Sequence, residues 1–391
     1  MNVKKIMIMP LMILLLVFTS ACGMFSSSSK ETAQSQEKKG NSDVIKIGVI
    51  VAETGPASTL GKTEANTIKM IQKQLDETGP INGKKIELVM RDYETDDTKA
   101  VIAMDKLISD GIVAIIGATQ ASTTNAILPK AEKANLPLLT LAPINTDIEN
   151  VYNIPPSSAT VASKMIDYLV ENKISKVAWV NAKDAFGVDG LPHFEPLAKE
   201  KNIEIVAHEE FDATASDMTI QLTNVREKNP EAVIVWSRTP GAGIVARNFK
   251  ALGFEVPMIQ SHASANQGFL DQVKSNSENI FVVAGKLNVV TQLEDSEYKS
   301  LVEEYVNPYE KEYNEPTDFF GAHSYDAVQL VIKAVEEGNF TSSDINNYLQ
   351  NELKEYQGIS GKFDLTKPIE GPQADGVTVL SIEDGTWKYT E

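Results

Sequence analysis

The sequence predicts an α/β protein of two doubly wound domains, each built on a parallel sheet. The chain has 391 residues, which is too long for one ordinary hydrophobic core and suits two domains. Two series of apolar, β-branched runs alternate with predicted helices, and Pro155 and Pro156 separate the two series. Such runs are typical of strands that are buried on both faces of a parallel sheet.

Residues 1–22 have the pattern of an export signal peptide. Two lysines precede a largely apolar run, residues 6–18, which is too short to favour a membrane-spanning helix. Small residues then lead to Cys22, the only cysteine of the chain, so no internal disulfide can form. This ending resembles a bacterial lipobox, whose cysteine is lipidated and becomes the new N-terminus, although an aliphatic residue is usual in place of Thr19. The alternatives are an uncleaved anchor and secretion without lipidation.

The next segment, residues 23–43, is rich in Ser, Gln, Lys and Glu and has almost no apolar residue after Phe25. A segment of this composition cannot bury a core, so it predicts a flexible tether. A coil of roughly 20 residues spans about 25 Å root-mean-square. The sequence therefore predicts a folded protein that is held close to the extracytoplasmic face of the cell membrane, or that is free in a periplasm.

The alternation of strands and helices can be followed along the chain from Val44. In the first series, strands are predicted at residues 44–51, 86–93, 113–116 and 137–142. Helices are predicted at about 64–77 and 98–110, the latter capped by Asp96 or Asp97, and after the turn at 117–122. In the second series, strands are predicted at 176–181, 203–209, 232–236, 257–260 and 280–283.

The last part of the chain begins with two long predicted helices, residues 296–313 and 319–337, and ends in two strands, residues 377–382 and 386–389. An Asp-Gly pair joins the two strands and is a strong hairpin signal. Two doubly wound domains predict a cleft between them. Ligands of open α/β sheets bind beyond the carboxyl ends of the strands, so the loops that follow strands are the candidate site.

Composition and motifs exclude several classes of function. The chain has 36 Lys and Arg against 54 Asp and Glu, a net charge of −18, whereas nucleic-acid binding needs a basic face. It contains no P-loop, no strict Gly-x-Gly-x-x-Gly dinucleotide-binding turn and no Gly-x-Ser-x-Gly nucleophile elbow. The four histidines lack close metal-ligand spacing. We therefore expect a protein that is not an enzyme and that has no metal and no cofactor.

Polar residues follow several predicted strands. Four hydroxyl side chains lie within residues 119–124, where a strand turns into a helix, and free N–H groups and hydroxyls there favour an anion; helix capping explains one of the four. Arg238 could clamp a carboxylate or be solvated. His262 follows another strand, and Phe186 could form an apolar wall of the cleft or pack in a core.

Several short motifs are distributed over residues 46–389. They are Ile47-Gly48, Thr54-Gly55-Pro56, Asp92, Ile116-Gly117 with the Ser/Thr turn, Asp184 to Gly190, Ser261-His262, Tyr325-Asp326-Ala327, Gly358 to Phe363, and Asp384 to Trp387. The order and spacing of these motifs resemble those of the leucine/isoleucine/valine-binding protein family. This family has the type I periplasmic binding fold and serves ABC importers.

The resemblance implies two lobes that are joined by three crossovers and close on a ligand by a hinge. The first ligand-binding lobe would comprise residues 44–156 and 287–362, and the second would comprise residues 157–286 and 363–391. The closed form would then be recognised by an ABC permease in the membrane.

The resemblance also implies a site. The ligand carboxylate would be held at a turn that maps to Ala121, Ser122 and Thr123, with a second set of contacts near Ala142 and Ile144. The chain departs from the family pattern at three positions of the candidate site. The usual serine of the turn falls on Ala121, the acidic partner of the ligand ammonium falls on His262, and Arg238 lies in a loop that usually has no cation.

A neutral histidine is a poor partner for an ammonium, and by family position the remaining acidic candidates are Asp326 and Glu53. We therefore expect a monomeric, solute-binding lipoprotein of an ABC importer whose ligand is a branched-chain or other apolar amino acid. The alternatives are a carboxylate or amide without an α-ammonium, held partly by Arg238, and a sensory receptor of the same fold. A sugar-repressor type of regulator would need a basic helix-turn-helix, and residues 1–43 do not have that composition.

Overall fold

The computed structural model describes residues 43–390. The predicted signal peptide at residues 1–22, its lipidated Cys22 and residues 23–42 of the tether lie outside the described residues and stay predictions. In the part of the chain that the structure describes, no helix combines the length and the apolar character needed to cross a membrane.

The order of the elements is that of two α/β units. The strands are Val44–Val51 (β1), Lys85–Asp92 (β2), Ala114–Gly117 (β3), Leu138–Thr140 (β4), Val151–Asn153 (β5), Lys176–Ala182 (β6), Glu204–Phe211 (β7), Ala232–Trp236 (β8), Met258–Gln260 (β9), Ile280–Gly285 (β10), Glu355–Gly358 (β11), Gly361–Asp364 (β12), Val377–Glu383 (β13) and Thr386–Tyr389 (β14). The α-helices are Ser58–Thr78 (α1), Asp97–Ser109 (α2), Ala121–Lys133 (α3), Ser158–Glu171 (α4), Ala185–Glu200 (α5), Thr219–Glu227 (α6), Gly241–Ala251 (α7), Gln267–Val273 (α8), Glu297–Tyr313 (α9), Phe319–Glu336 (α10) and Ser342–Asn347 (α11).

The first sheet has five parallel strands in the order β2-β1-β3-β4-β5. The apolar β1 is an interior strand: Val49 lies beside Met90 on one side and Ile116 on the other. Because all five strands run in the same direction, the loops after β1, β2, β3 and β4 meet at one edge of the sheet. We call this sheet and the helices packed on it the first lobe.

The second sheet has seven strands in the order β14-β13-β10-β9-β8-β6-β7, and with its helices it forms the second lobe. Five of its strands are parallel, while β13 and β14 add an antiparallel edge. The predicted Asp-Gly hairpin between these two strands is confirmed, with both Asp384 and Gly385 at positive φ. Alternate residues of the central strands face opposite cores: Trp179 and Ile234 contact one apolar cluster, and Val180 and Val235 contact the other.

The chain passes between the two sheets three times. It leaves the first sheet after β5 and enters the second at β6, it returns after β10 through α10, which packs against α1, and it crosses again before β13. The predicted pair of doubly wound domains with three crossovers is therefore confirmed. Phe363 and Leu365 pack into the apolar cluster that contains residues of β1, and the lobe boundaries given above stay a prediction.

Several elements differ from those that the sequence predicts. Helix α1 begins at Ser58, about six residues before the predicted start, and its N-terminal residue Ala57 makes no side-chain capping bond that would mark the position. The fourth strand comprises only Leu138–Thr140. The three-residue strand β5 and the four-residue strands β11 and β12 are too short for a hydrophobic period to be recognised. Asp96 caps α2 as predicted, because its carboxylate accepts from the N–H groups of Thr98 and Lys99.

Candidate ligand-binding site

A cavity lies where the carboxyl ends of strands from both sheets face each other. This is the position at which open α/β sheets bind ligands. The side chains that line it are Leu60, Thr119, Gln120, Ala121, Leu141, Ala142, Pro143, Pro155, Phe186, Arg238, His262, Ala263, Phe320 and His323. Of these described lining residues, none is acidic.

The first lobe contributes the N-terminal end of α3 to the cavity. The residue before the helix, Gln120, has extended backbone angles and makes no side-chain capping bond. The N–H groups of Ala121, Ser122 and Thr123 have no partner within the helix, because the first intrahelical bond runs from the N–H of Thr124 to the carbonyl of Gln120. Uncapped N–H groups at a helix N-terminus favour an anion.

Three of the four hydroxyl groups of this turn bond other parts of the first lobe. Thr119 accepts from the N–H of Ala52 at 2.9 Å and donates to the carboxyl of Glu64. Thr124 accepts from the N–H of Ala118 at 3.1 Å. Thr123 donates to Asp97 of α2. These hydroxyls therefore stabilise the turn, and the backbone supplies its free donors.

The second lobe contributes a cation, Arg238, on the loop after β8. Its guanidinium forms an ion pair with Asp184, whose other carboxylate oxygen accepts from the N–H of Gly187 at 2.8 Å. The side-chain amide of Gln120, in the first lobe, has its oxygen toward Arg238 and its nitrogen toward Tyr93 in the orientation that gives both atoms a hydrogen-bond partner. In this orientation the oxygen accepts from Arg238 Nη2 at 2.9 Å and the nitrogen donates to Tyr93. The guanidinium is thus partly neutralised and links the two lobes at the edge of the cavity.

Aromatic rings form one wall of the cavity. Phe186 at the start of α5 stacks on Trp236, with 5.8 Å between ring centroids, and meets the edge of His262 at 5.5 Å. A Cβ atom at Gly190 would lie 2.3 Å from Trp236, so this glycine allows α5 to approach the indole ring closely. Such a wall favours an apolar group of a ligand.

Two histidines face the cavity from different lobes. His262 follows β9, and His323 lies on α10; their side chains are 2 % and 0 % exposed, respectively. In the described part of the chain, neither imidazole forms a hydrogen bond, and His262 Nδ1 and both ring nitrogens of His323 are fully buried. Burial lowers the pKa of His262 to about 3 and that of His323 well below the usual value. Both rings are therefore neutral at physiological pH.

Two buried acids lie behind the first-lobe wall. Glu64 accepts from Thr119 with one oxygen, and its other oxygen has no partner. Burial raises the pKa of Glu64 to about 8. Asp318, which caps α10 through the N–H groups of Phe320 and Gly321, has its pKa raised to about 7 by burial. Neither group is a reliable countercharge for a ligand cation, because Glu64 is protonated at neutral pH and Asp318 is partly so.

Residues 44–386 match the family of periplasmic binding proteins. This chain belongs to that family. Among its relatives, Leu/Ile/Val-binding protein homolog 7 of Brucella abortus is 22 % identical over 75 % of this chain and 77 % of its own length. A leucine-, isoleucine-, valine-, threonine- and alanine-binding protein of Pseudomonas aeruginosa is 20 % identical over 75 % of this chain and 79 % of its own.

Solved structures show the same fold. An extracellular ligand-binding receptor from Rhodopseudomonas palustris superposes with a TM-score of 0.82 at 21 % identity and covers 89 % of this chain and 100 % of its own. The branched-chain amino acid binding protein LivJ of Streptococcus pneumoniae, solved with isoleucine, gives a TM-score of 0.79 at 22 % identity, with coverage of 89 % and 99 %. The predicted fold and family resemblance of this periplasmic binding protein are therefore confirmed.

Five of the predicted site residues line the cavity of this binding protein: Ala121, Ala142, Phe186, Arg238 and His262. The others lie elsewhere, and their part in binding stays a prediction. Ser122 is exposed, Thr123 bonds Asp97, and Ile144 donates its N–H to Asn153 Oδ1 at 3.3 Å.

The two acidic candidates also lie outside the lining. The carboxylate of Asp326 accepts from the N–H groups of Ile359 at 2.9 Å and Ser360 at 2.8 Å, so it is used in the segment that leads to the last crossover. Glu53 pairs with Lys69 on the surface. Neither is among the lining residues that the structure describes.

Sequence reasoning missed six contributors to the cavity of this binding protein, namely Leu60, Leu141, Pro155, Ala263, Phe320 and His323. Leu60 lies before the predicted start of α1. Phe320 and His323 lie inside a long apolar helix, where periodicity does not distinguish a cavity-facing residue from a core residue. The available signal was the order of the strands, which places the start of α10 near the ends of both sheets.

Proposed function

We propose that this chain is the extracytoplasmic, solute-binding lipoprotein of an ABC importer, anchored at Cys22 and acting as a monomer with a membrane permease. Membership of the periplasmic binding protein family supports a binding role, and the names of the relatives support amino acids as the ligand class. The ligand is a small apolar carboxylate, a class that includes the branched-chain amino acids.

The observation that carries this proposal is the combination of an anion site with apolar walls in one cavity. The uncapped start of α3 and the guanidinium of Arg238 both lie at the cavity, and both favour a carboxylate. Leu60, Phe186 and Phe320 are among the apolar side chains that line the rest. They favour an alkyl or aryl group on the ligand.

Closure of the two lobes around the ligand is consistent with the bonds that cross the cleft. Gln120 of the first lobe contacts Arg238 of the second, and Asn145 Nδ2 donates to Asp189 Oδ1 at 2.9 Å. These groups can separate if the lobes rotate apart, which would admit a solute, and they re-form when the lobes close. The permease would then recognise the closed form.

Calorimetric titration of residues 23–391 tests the ligand class, with leucine, isoleucine, valine and their deaminated 2-oxo acids as ligands. We expect at least one of them to bind. Arg238→Ala should weaken that binding by about 10- to 100-fold, because a charge-assisted hydrogen bond is lost and Asp184 loses its cation. The matched control is Arg247→Ala, whose guanidinium donates to Gln272 at 2.8 Å on the exposed surface.

Failure of all these ligands to bind would contradict the proposed ligand class, and equal affinity of the two arginine variants would show that Arg238 does not bind the ligand. The anchor is tested separately with Cys22→Ala, which should accumulate as the unprocessed precursor or leave the membrane fraction. A variant that fractionates and migrates like the wild type would show that Cys22 carries no lipid.

A further inference from the structure

The unpaired histidines are the feature of the cavity that the proposed function does not use. A buried polar group without a partner is unfavourable, and native proteins rarely keep one without a reason. Here two such groups, His262 and His323, come from different lobes and line the same cavity. Because each lobe supplies one ring, both can contact a bound molecule only when the lobes lie together.

A neutral imidazole has one N–H donor and one acceptor nitrogen. Two such rings can bond a hydroxyl, which donates and accepts, or a carbonyl, which accepts. They give no net charge to balance an ammonium. Burial, which keeps both pKa values low, makes protonation in the closed cavity unfavourable.

The other polar groups of the cavity are already partnered or suit an anion. Thr119 is bonded through both donor and acceptor, and Arg238 is shared between Asp184 and Gln120. The free N–H groups at the start of α3 favour a carboxylate. The two histidines therefore supply neutral hydrogen-bonding groups to the same cavity that the anion site lines.

We propose that His262 and His323 together bind a neutral oxygen group of the ligand, so that the cleft takes an apolar 2-oxo or 2-hydroxy acid in preference to the amino acid of the same skeleton. This inference rests on the proposed function, since it names which apolar carboxylate the same cavity selects. The carboxylate would lie at the start of α3 and near Arg238, and the alkyl or aryl group would lie against Phe186 and Phe320.

A series of ligands that differ in one substituent tests the inference directly. Leucine, 4-methyl-2-oxopentanoate, 2-hydroxy-4-methylpentanoate and 4-methylpentanoate share a skeleton and differ only at carbon 2, and the four 3-phenylpropanoate analogues repeat the comparison with a larger apolar group. Calorimetry on the wild type should give at least tenfold tighter binding of the 2-oxo or 2-hydroxy acid than of the other two compounds, because the oxygen group can bond the buried rings without bringing an unbalanced charge into the cavity.

Variants then locate the preference. His323→Leu and His262→Leu should each reduce the ratio of affinities for the oxygen-bearing and unsubstituted acids to below threefold, and His323→Gln should restore part of the ratio. His208→Gln is the control, because His208 is exposed on β7 outside the cavity, and it should keep the wild-type ratio. Thermal melting identifies any variant that fails to fold. In that case the affinities of the wild type for the two ligand series still test the inference.

The possible outcomes separate the two proposals. If no compound in either series binds, the proposed ligand class fails. If leucine or phenylalanine binds at least as tightly as its oxygen-bearing analogues, the ligand class stands and the inference from the histidines is wrong. The inference is also wrong if the oxygen-bearing acids are preferred but both leucine variants retain the full preference.

Discussion

The two sides of the cavity present their polar groups in different ways. On the first-lobe side, the donors are backbone N–H groups at the start of α3, and the neighbouring hydroxyls are bonded within the lobe. On the second-lobe side, the polar groups are side chains, Arg238 and His262, beside the aromatic wall of Phe186. A backbone site can hold any carboxylate with Arg238 beside it, whereas His262 and Phe186 would contact the part of the ligand that varies.

This difference indicates a division of tasks between the lobes. The first lobe would bind the group that all ligands of the class share, and the second lobe, together with His323 of α10, would discriminate among them. The chemistry of the lining agrees with this, because two of the three residues at which the chain departs from the family pattern, Arg238 and His262, lie on the second-lobe side. The predictions below test the two sides separately.

The largest expected effect concerns the acid behind the first-lobe wall. Burial raises the pKa of Glu64 from 4.5 to about 8, so the folded protein binds a proton that the unfolded chain releases. The contribution of protonated Glu64 to the free energy of unfolding is therefore complete at low pH and is lost as the pH rises from about 4.5 to about 8. Glu64→Gln should remove this loss and be more stable than the wild type at pH 8.5 by up to about 5 kcal/mol, relative to their difference at pH 4.

Denaturant unfolding at a series of pH values measures this effect. Glu132→Gln is the matched control, because Glu132 is exposed on α3, and it should follow the wild-type pH profile. Identical profiles for Glu64→Gln and the wild type would mean that Glu64 is ionised in the folded protein. The first-lobe wall would then carry a negative charge, and a ligand ammonium would have a partner there.

A smaller effect is expected from the backbone donors of α3. Ala121→Pro removes one N–H at the first helical position, where proline is tolerated, and the extended backbone of Gln120 is compatible with a following proline. Affinity for the carboxylate ligand should fall about tenfold. Ala121→Val keeps the N–H at similar bulk and is the control, while Ser122→Ala should change affinity less than threefold, because Ser122 is exposed.

Calorimetry of the three variants with one ligand shows whether the backbone N–H of residue 121 or the hydroxyl of Ser122 binds the carboxylate. A tenfold loss in Ser122→Ala, with no difference between the proline and valine variants, would show that the hydroxyl is the binding group. The task of the first lobe would then be performed by a side chain, as on the second-lobe side.

Much of the fold could be predicted because it depends on local patterns. Strand β8 has the predicted bounds, residues 232–236, since an apolar β-branched run between polar segments is unambiguous. The boundary of α1 could not be predicted, because Ala57 makes no side-chain capping bond. The hairpin of β11 and β12 depends on Asp326, which bonds Ile359 and Ser360 more than 30 residues away, and such contacts leave no periodic signal.

The site could be predicted in position but only partly in composition. The rule that ligands lie beyond the carboxyl ends of strands led to Ala121, Phe186, Arg238 and His262. It did not indicate where each hydroxyl of the Ser/Thr turn points, because that depends on partners such as Ala52 that are distant in sequence. The second histidine, His323, was missed because it lies inside a long apolar helix, where periodicity does not distinguish a cavity-facing residue from a core residue.

The smallest expected effect concerns the contact between the lobes themselves. Asn145 Nδ2 donates to Asp189 Oδ1 at 2.9 Å between exposed side chains of different lobes. A solvent-exposed bond of this kind contributes about 0.2–1 kcal/mol, so Asn145→Ala should weaken ligand binding by about 1.4- to 5-fold. Because the bond exists only while the lobes are together, the loss should appear in the dissociation rate and leave the association rate nearly unchanged.

Stopped-flow kinetics measure both rates, and Asn224→Ala provides the matched control. Asn224 donates to Glu209 at 3.2 Å, also between exposed side chains but within the second lobe, so its loss should not alter ligand dissociation. If both alanine variants release the ligand at the wild-type rate, the contact at Asn145 does not hold the lobes together. Closure would then depend on the groups inside the cavity, Arg238 with Gln120 and the two histidines, and these same groups would control both ligand selection and ligand release.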